Sequence, residues 1–285
     1  MEFKLTDNSY GKARVRLTKV MRDANVHELF EIDAQVMLEG DFAAAYTDGD
    51  NRNVIATDTI KNTVYVVAKE NAFTSIEQFA IQLCKHFVKT YPQAAGAKIE
   101  LAQTAWHRID VDGKPHDHAF TIAGPQLRTC VAVLDRSGPE PAVRGGVRDL
   151  TLLKTTASSW QDFHSDRYRT LKDTSDRIFA TKANAAWSYR AGDVDFNAAS
   201  CAIWGAILKT FATTHSLGAQ HTLKQMGDAA LEACADIDEI QFELPNLHRI
   251  PFNLEPFGLK FENDIYVATD EPHGVIAGTV TRKAK

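Results

Sequence analysis

Ser137-Gly138-Pro139-Glu140-Pro141 interrupts the chain close to its midpoint, with one glycine and two prolines in five residues. A helix interior and a central strand both reject such a cluster, so it reads as a linker. It divides the 285 residues into an N-terminal domain over 1–138 and a C-terminal domain over 139–285, each of ordinary domain size. Toward the N-terminus, Leu127–Asp135, His118–Ala123 and Ala97–Ile109 read as strands. Ahead of them, Thr74-Ser75-Ile76-Glu77 has the form of a capping box. Ile76, Phe79, Ala80, Leu83 and Phe87 follow it at helical spacing, and the helix stops near Thr90, before Pro92. Thr57 or Asp58 is placed to cap an earlier helix running toward Lys69. Lys12–Val20 opens the domain as a strand in which Ala13, Val15 and Leu17 alternate with Lys12, Arg14 and Arg16; Ile32–Leu38 is its hairpin partner. Beyond the linker, Val147–Thr155 is strand-like. Two apolar helical stripes follow, Phe196, Ala199, Ile203, Ile207 and Phe211, then Leu223, Met226, Ala230 and Ala233. Strands return at Ile237–Leu244, Asp264–Ala268 and Val275–Thr281. Each half therefore runs strands, helix, strands without strict βαβ alternation. The expected class is α+β, two related halves with antiparallel sheets and helices.

Apolar residues make up 44% of the chain and charged residues 24%, with a net charge of −5. A mildly acidic chain has no electrostatic reason to coat nucleic acid or an anionic membrane. No stretch reaches the roughly 20 apolar residues of a membrane helix, and Met1-Glu2-Phe3-Lys4-Leu5 does not open a secretory signal. Cys84, Cys130, Cys201 and Cys234 share no CxxC spacing, which predicts free, mostly buried thiols in a reducing compartment. GxGxxG, Walker, GxSxG and HExxH motifs are absent. His116 and His118 share a strand face, but two imidazoles without a third ligand make a poor metal site, so no metal is expected.

The run Leu150-Thr151-Leu152-Leu153-Lys154-Thr155-Thr156-Ala157-Ser158-Ser159-Trp160, followed by Phe163, Tyr168, Leu171 and Arg177, closely resembles the signature of the urate oxidase (uricase) family, with Trp160 where the signature has Phe. Six further family motifs occur in order across residues 10 to 280: Tyr10-Gly11-Lys12, Ala56-Thr57-Asp58-Thr59, Lys61-Asn62-Thr63, Lys114-Pro115-His116-Asp117-His118, Leu244-Pro245-Asn246-Leu247-His248 and Pro272-His273-Gly274-Val275-Ile276. The resemblance implies two tandem tunnelling-fold (T-fold) repeats, assembling into a barrel-forming homotetramer with active sites at subunit interfaces. It implies cofactor-independent oxidation of urate by dioxygen and water to 5-hydroxyisourate and hydrogen peroxide. By the same resemblance Lys12, Thr57 and His248 form a proton relay. Arg177 and Gln220 grip opposite edges of urate, Trp160 stacks on it, Ala219 and Asp58 contribute backbone, Asn246 holds dioxygen or water, and Leu171 and Ile276 line the pocket. Thr57 and Asp58 would come from a different chain than Arg177 and Gln220.

The residue types suit those tasks. A guanidinium presents parallel donors to a flat anion, an amide offers donor and acceptor side by side, and a desolvated lysine accepts a proton that a threonine hydroxyl relays. Read without the resemblance, the same positions are ordinary. Lys12 is a solvated charge beside Arg14 and Arg16, Thr57 a helix cap, Arg177 a surface residue of a helix through Leu171, Thr174 and Ile178, and Trp160, Leu171 and Ile276 core. Two rivals remain at this point: another tunnelling-fold enzyme acting on a pterin or purine, and a degenerate relative that binds purine without turnover. The ending Lys283-Ala284-Lys285 differs from the Ser-Lys-Leu-type peroxisomal address, so a cytoplasmic location is expected.

Overall fold

The computed structural model describes residues 3–22 and 25–283. Met1, Glu2, Ala284 and Lys285, on which the readings of the two chain ends partly rest, lie outside the described residues. The fold is α+β, in two compact units, Met1–Gly146 with Ala191–Asn197, and Val147–Arg190 with Ala198–Lys285.

The first unit contains β1 (Ser9–Met21), β2 (Glu28–Gly40), a short α1 (Ala43–Thr47), α2 (Thr57–Glu70), α3 (Ile76–Thr90), β3 (Ala94–Val111) and β4 (Lys114–Asp135). The strands lie in the order β1-β2-β3-β4, each antiparallel to the next. α2 packs on β1, and α3 on β3 and β4. The core forms where period two meets period 3.6: Ala34, Val36, Leu38, Ile99 and Ala132 of the strands meet Ile60, Val64, Phe79, Leu83 and Phe87 of the helices, all fully buried.

The second unit takes in most of β5 (Ala142–Lys154), β6 (Phe179–Tyr189), most of α4 (Phe196–Thr213), α5 (Ala219–Ala233), β7 (Ile237–Pro245), β8 (His248–Pro251), β9 (Tyr266–Thr269) and β10 (Val275–Thr281), with a 3₁₀ turn at Glu255–Phe257. Its sheet runs β5-β6-β7-β10, while β8 and β9 form a separate antiparallel ribbon. α5 packs against β7 and β10, around Trp187, Ile203, Met226, Ile240 and Phe242.

Several sequence expectations need correction. The alternation in β1 breaks at a bulge between Lys12 and Val15, where Arg14 takes φ 59°. Lys12 lies opposite Val36, and Val15 opposite Ala34. Because Val36 and Ala34 both face the core, the extra residue turns Lys12 onto the helix-covered face and leaves Ala13 exposed. Thr57 is the first residue of α2 rather than its cap, and Ala56 in the cap position makes no side-chain bond. The cap of α3 sits one residue later than expected. Ser75 accepts from Gln78 N, and Gln78 Oε1 accepts from Thr74 N at 2.9 Å. Glu77 is thereby released to pair with Arg128. Leu171–Ile178 is not a helix, β6 and β8 were not expected, and β3 and β4 run on through stretches read as breaks. Ser137–Pro141 is a turn, with Gly138 N and Ser137 N bonded to Asp135. Among the cysteines, Cys84, Cys130 and Cys234 are buried, Cys201 is exposed, and all are free.

Candidate functional site

The site residues named from sequence fall into two clusters, one in each unit. In the first unit, Tyr10, Gly11 and Lys12 lie on β1 opposite Leu38, Met37 and Val36 of β2. A Cβ on Gly11 would stand 1.8 Å from Val36 O, so only glycine fits. Tyr10 and Lys12 share the helix face. The Tyr10 ring packs edge-on against Phe42 at 4.8 Å. Its hydroxyl donates to Ile55 O at 3.1 Å and accepts from Ile55 N at 2.7 Å. That pair of bonds ties β1 to the segment that enters α2 two residues later.

α2 opens with Thr57 and Asp58, whose backbone N–H groups have no intrahelical acceptor. Asp58 bonds Lys61 and Asn62. The Lys61 contact, with a smaller contribution from the Lys12 charge, holds its carboxyl below the usual range. Lys12 is half-buried and makes no ion pair among the described residues.

The second cluster is held by the irregular segment between β5 and β6. Lys154 Nζ donates to Thr214 O at 2.8 Å, and Thr156 Oγ1 to Asp176 Oδ2 at 2.6 Å. Ser159 N donates to Ser216 O, Trp160 and Thr174 exchange backbone bonds, and Arg177 N donates to Ser158 O. The polar residues of the signature are thus staples that fix where Trp160 and Arg177 stand.

Trp160 stacks on Phe163 with centroids 5.4 Å apart at 15°, and the Arg177 guanidinium lies 5.8 Å over the indole. Arg177 makes no ion pair among the described residues, and its Nε is buried without a hydrogen-bond partner. Burial alone pushes its pKa below the usual arginine value. Gly218, at φ 153°, caps α5 without a side-chain bond. A Cβ there would meet Trp160 Cζ3 at 2.8 Å and Gln220 Oε1 at 3.6 Å. The indole, the bare N-terminus of α5 and the Gln220 amide are therefore neighbours, with Ala219 buried between them.

At the end of β7, Asn246 N donates to Gly274 O, and Leu247 N to Ala180 O, three residues past Arg177. Ile276 pairs with Leu244. His248 begins β8 opposite Thr269, beside Asn246 in sequence and in a different unit from Lys12 and Thr57. Leu171 is 59% exposed, its carbonyl accepting from Arg169. Tyr10, Phe163 and Gly218 were not singled out from sequence as site residues, although the first two lie inside quoted motifs.

Among the described residues no group of three or more His, Cys, Asp or Glu side chains is placed to hold a metal. His116 Nδ1 instead accepts from His118 N at 3.3 Å. No helix of the described residues is long and apolar enough to cross a membrane.

The arrangement supplies a half-buried cation beside an aromatic face, with an amide and free backbone donors close by, a combination that suits a flat anionic heterocycle. The sequence-family model described as Uricase matches residues 8–133 and 143–277. The chain is 43% identical over 279 residues to a uricase of Arthrobacter globiformis, covering 98% of this chain and 90% of that protein. It is 38% identical over 296 residues to a uricase of Arabidopsis thaliana, covering 97% and 95%. The crystal structure of the Arthrobacter globiformis uricase superposes with a TM-score of 0.94 at 41% identity, covering 100% of this chain and 97% of that one. Fold, cradle and kinship agree: the chain belongs to the uricase family.

Proposed function

We propose that this protein oxidises urate with dioxygen and water to 5-hydroxyisourate and hydrogen peroxide, without a metal or organic cofactor. The observation that carries this reading is the Arg177 guanidinium, half-buried beside Trp160 with no acidic partner among the described residues. Such a charge is costly to bury alone, and an anion placed against it relieves that cost. Urate is flat, anionic and rimmed with hydrogen-bonding groups. Its plane lies on the indole, Arg177 and Gln220 hold opposite edges, and Ala219 and Asp58 offer backbone donors. Leu171 and Ile276 line the apolar rim.

Before it reacts with dioxygen, bound urate gives up a further proton. The Thr57 hydroxyl passes that proton to Lys12, and His248 orders the water that extends the relay. Asn246 holds dioxygen or water over the ring. The electrons come from the deprotonated purine itself, which is why the residues around it need only bind, orient and move protons. We further propose that the two units are tandem T-fold repeats meeting near Gly138 and that four chains assemble as a homotetramer. In it, Thr57, Asp58 and Lys12 of one copy face Arg177 and Gln220 of another.

The test is an oxygen electrode run alongside the urate absorbance, on protein stripped with chelator. The expected result is one dioxygen consumed per urate, with peroxide formed. Stable absorbance, or turnover that disappears with the metal, would refute the proposal.

A further inference from the structure

We propose that Tyr10 is a positioning residue that sets Lys12 against the start of α2; the inference rests on the relay proposed above and deepens it. Lys12 lies two residues after Tyr10, and Thr57 two residues after Ile55. The phenol closes this gap by holding both the N–H and the C=O of Ile55, at 2.7 and 3.1 Å. The contact joins residues 45 apart in sequence, and among the described residues no backbone hydrogen bond of the sheet does the same task, because Ile55 belongs to the irregular run ahead of α2.

Three further observations converge on the same point. Gly11 allows β1 to close on Val36 O. Ahead of the bulge at Arg14, Tyr10 and Lys12 lie opposite Leu38 and Val36 and so share one face of β1. The Phe42 ring fixes the tilt of the phenol. Together they set the Tyr10 hydroxyl at the Lys12 end of the contact between β1 and α2; Tyr65 Oη to Arg16 O at 2.9 Å and Lys19 Nζ to Ala68 O at 2.7 Å tie the same helix to β1 farther along. A relay between two side chains works only when donor and acceptor are within hydrogen-bond reach, and a displacement of about 1 Å can cost roughly a hundredfold in rate. Tyr10 touches neither substrate nor the travelling proton in this account. It acts through Lys12 and Thr57.

Tyr10→Phe keeps the ring against Phe42 and removes only the hydroxyl, so the variant is expected to fold. Its kcat for urate should fall about tenfold or more, with KM for urate and Kd for xanthine within about twofold of the parent. The acid limb of its kcat–pH profile, which reads the proton-accepting group, should also move. Tyr46→Phe is the control. Tyr46 also bonds β1, donating to Ser9 O at 3.2 Å, but on the far side of Tyr10 from Lys12, and its loss should leave kcat and the profile unchanged. A Tyr10→Phe enzyme with parental kcat and profile would overturn the inference. So would a loss confined to KM, or an equal loss in Tyr46→Phe. If the parent protein does not turn over urate, the functional reading fails first, and the role of Tyr10 with it.

Discussion

A guanidinium with a buried, unbonded Nε is an expensive side chain to fold, and Arg177 has no acid to offset it among the described residues. In the proposed reading the compensation arrives with the substrate, so the residue should matter far more to binding than to folding. Arg177→Gln should raise the Kd for xanthine, and the KM for urate, by one or more orders of magnitude, since a desolvated charged contact is worth about 2–5 kcal/mol. Titration calorimetry checks the first and steady-state kinetics the second. Thermal stability should hold or rise, because the unpaired charge is gone. At this scale the sequence reading was uneven for a physical reason. Arg177 and Trp160 are named from motif spacing and Gln220 from the family resemblance alone, and a single residue's identity stays in the sequence however the loop around it folds. The orientation of Lys12 was hidden, because period two is the only rule available for a strand and one inserted residue at Arg14 reverses it. Gly218 was hidden because its importance is the volume it lacks beside Trp160.

Elements fold here through polar contacts that local patterning only half predicts. The apolar spacing marks α3 almost to the residue, yet the capping-box pattern assigns Glu77 of its first turn to the cap. Its side chain is instead fully buried, meeting Arg128 at 2.8 Å, and Arg128 also reaches Asn197 Oδ1 at 2.7 Å and the Phe196 carbonyl. Burial pushes the Glu77 carboxyl upward, against the pull of Arg128. Removing one member of such a pair strands the other. Glu77→Ala should therefore destabilise the protein by about 3–5 kcal/mol, read as a shift in the urea midpoint at unchanged slope; a loss under 1 kcal/mol would show that Arg128 finds another partner. β6 escaped sequence analysis because Phe179-Ala180-Thr181-Lys182-Ala183-Asn184-Ala185-Ala186-Trp187 is rich in small residues and carries little hydrophobic contrast. It becomes a strand through its pairing with β7, which is tertiary information.

The whole chain is legible as α+β with antiparallel strands, because strand–helix–strand order is written in hydrophobic periodicity. Assembly is different. The two proposed half-sites lie in separate compact units, Lys12 and Thr57 in one, Arg177 and Gln220 in the other, and no single-chain pattern encodes which copy completes which. The measurement that tests this most directly is subunit complementation. Lys12→Met and Arg177→Gln, each purified alone, should show almost no oxygen uptake with urate under subsaturating conditions. Unfolded together and reassembled, they should recover about a quarter of wild-type turnover, the share of interfaces in which both faces are intact under random assembly. Mixtures that stay as inactive as their parents, or a verified monomer that turns over at full rate, would contradict a site built from two copies of this chain.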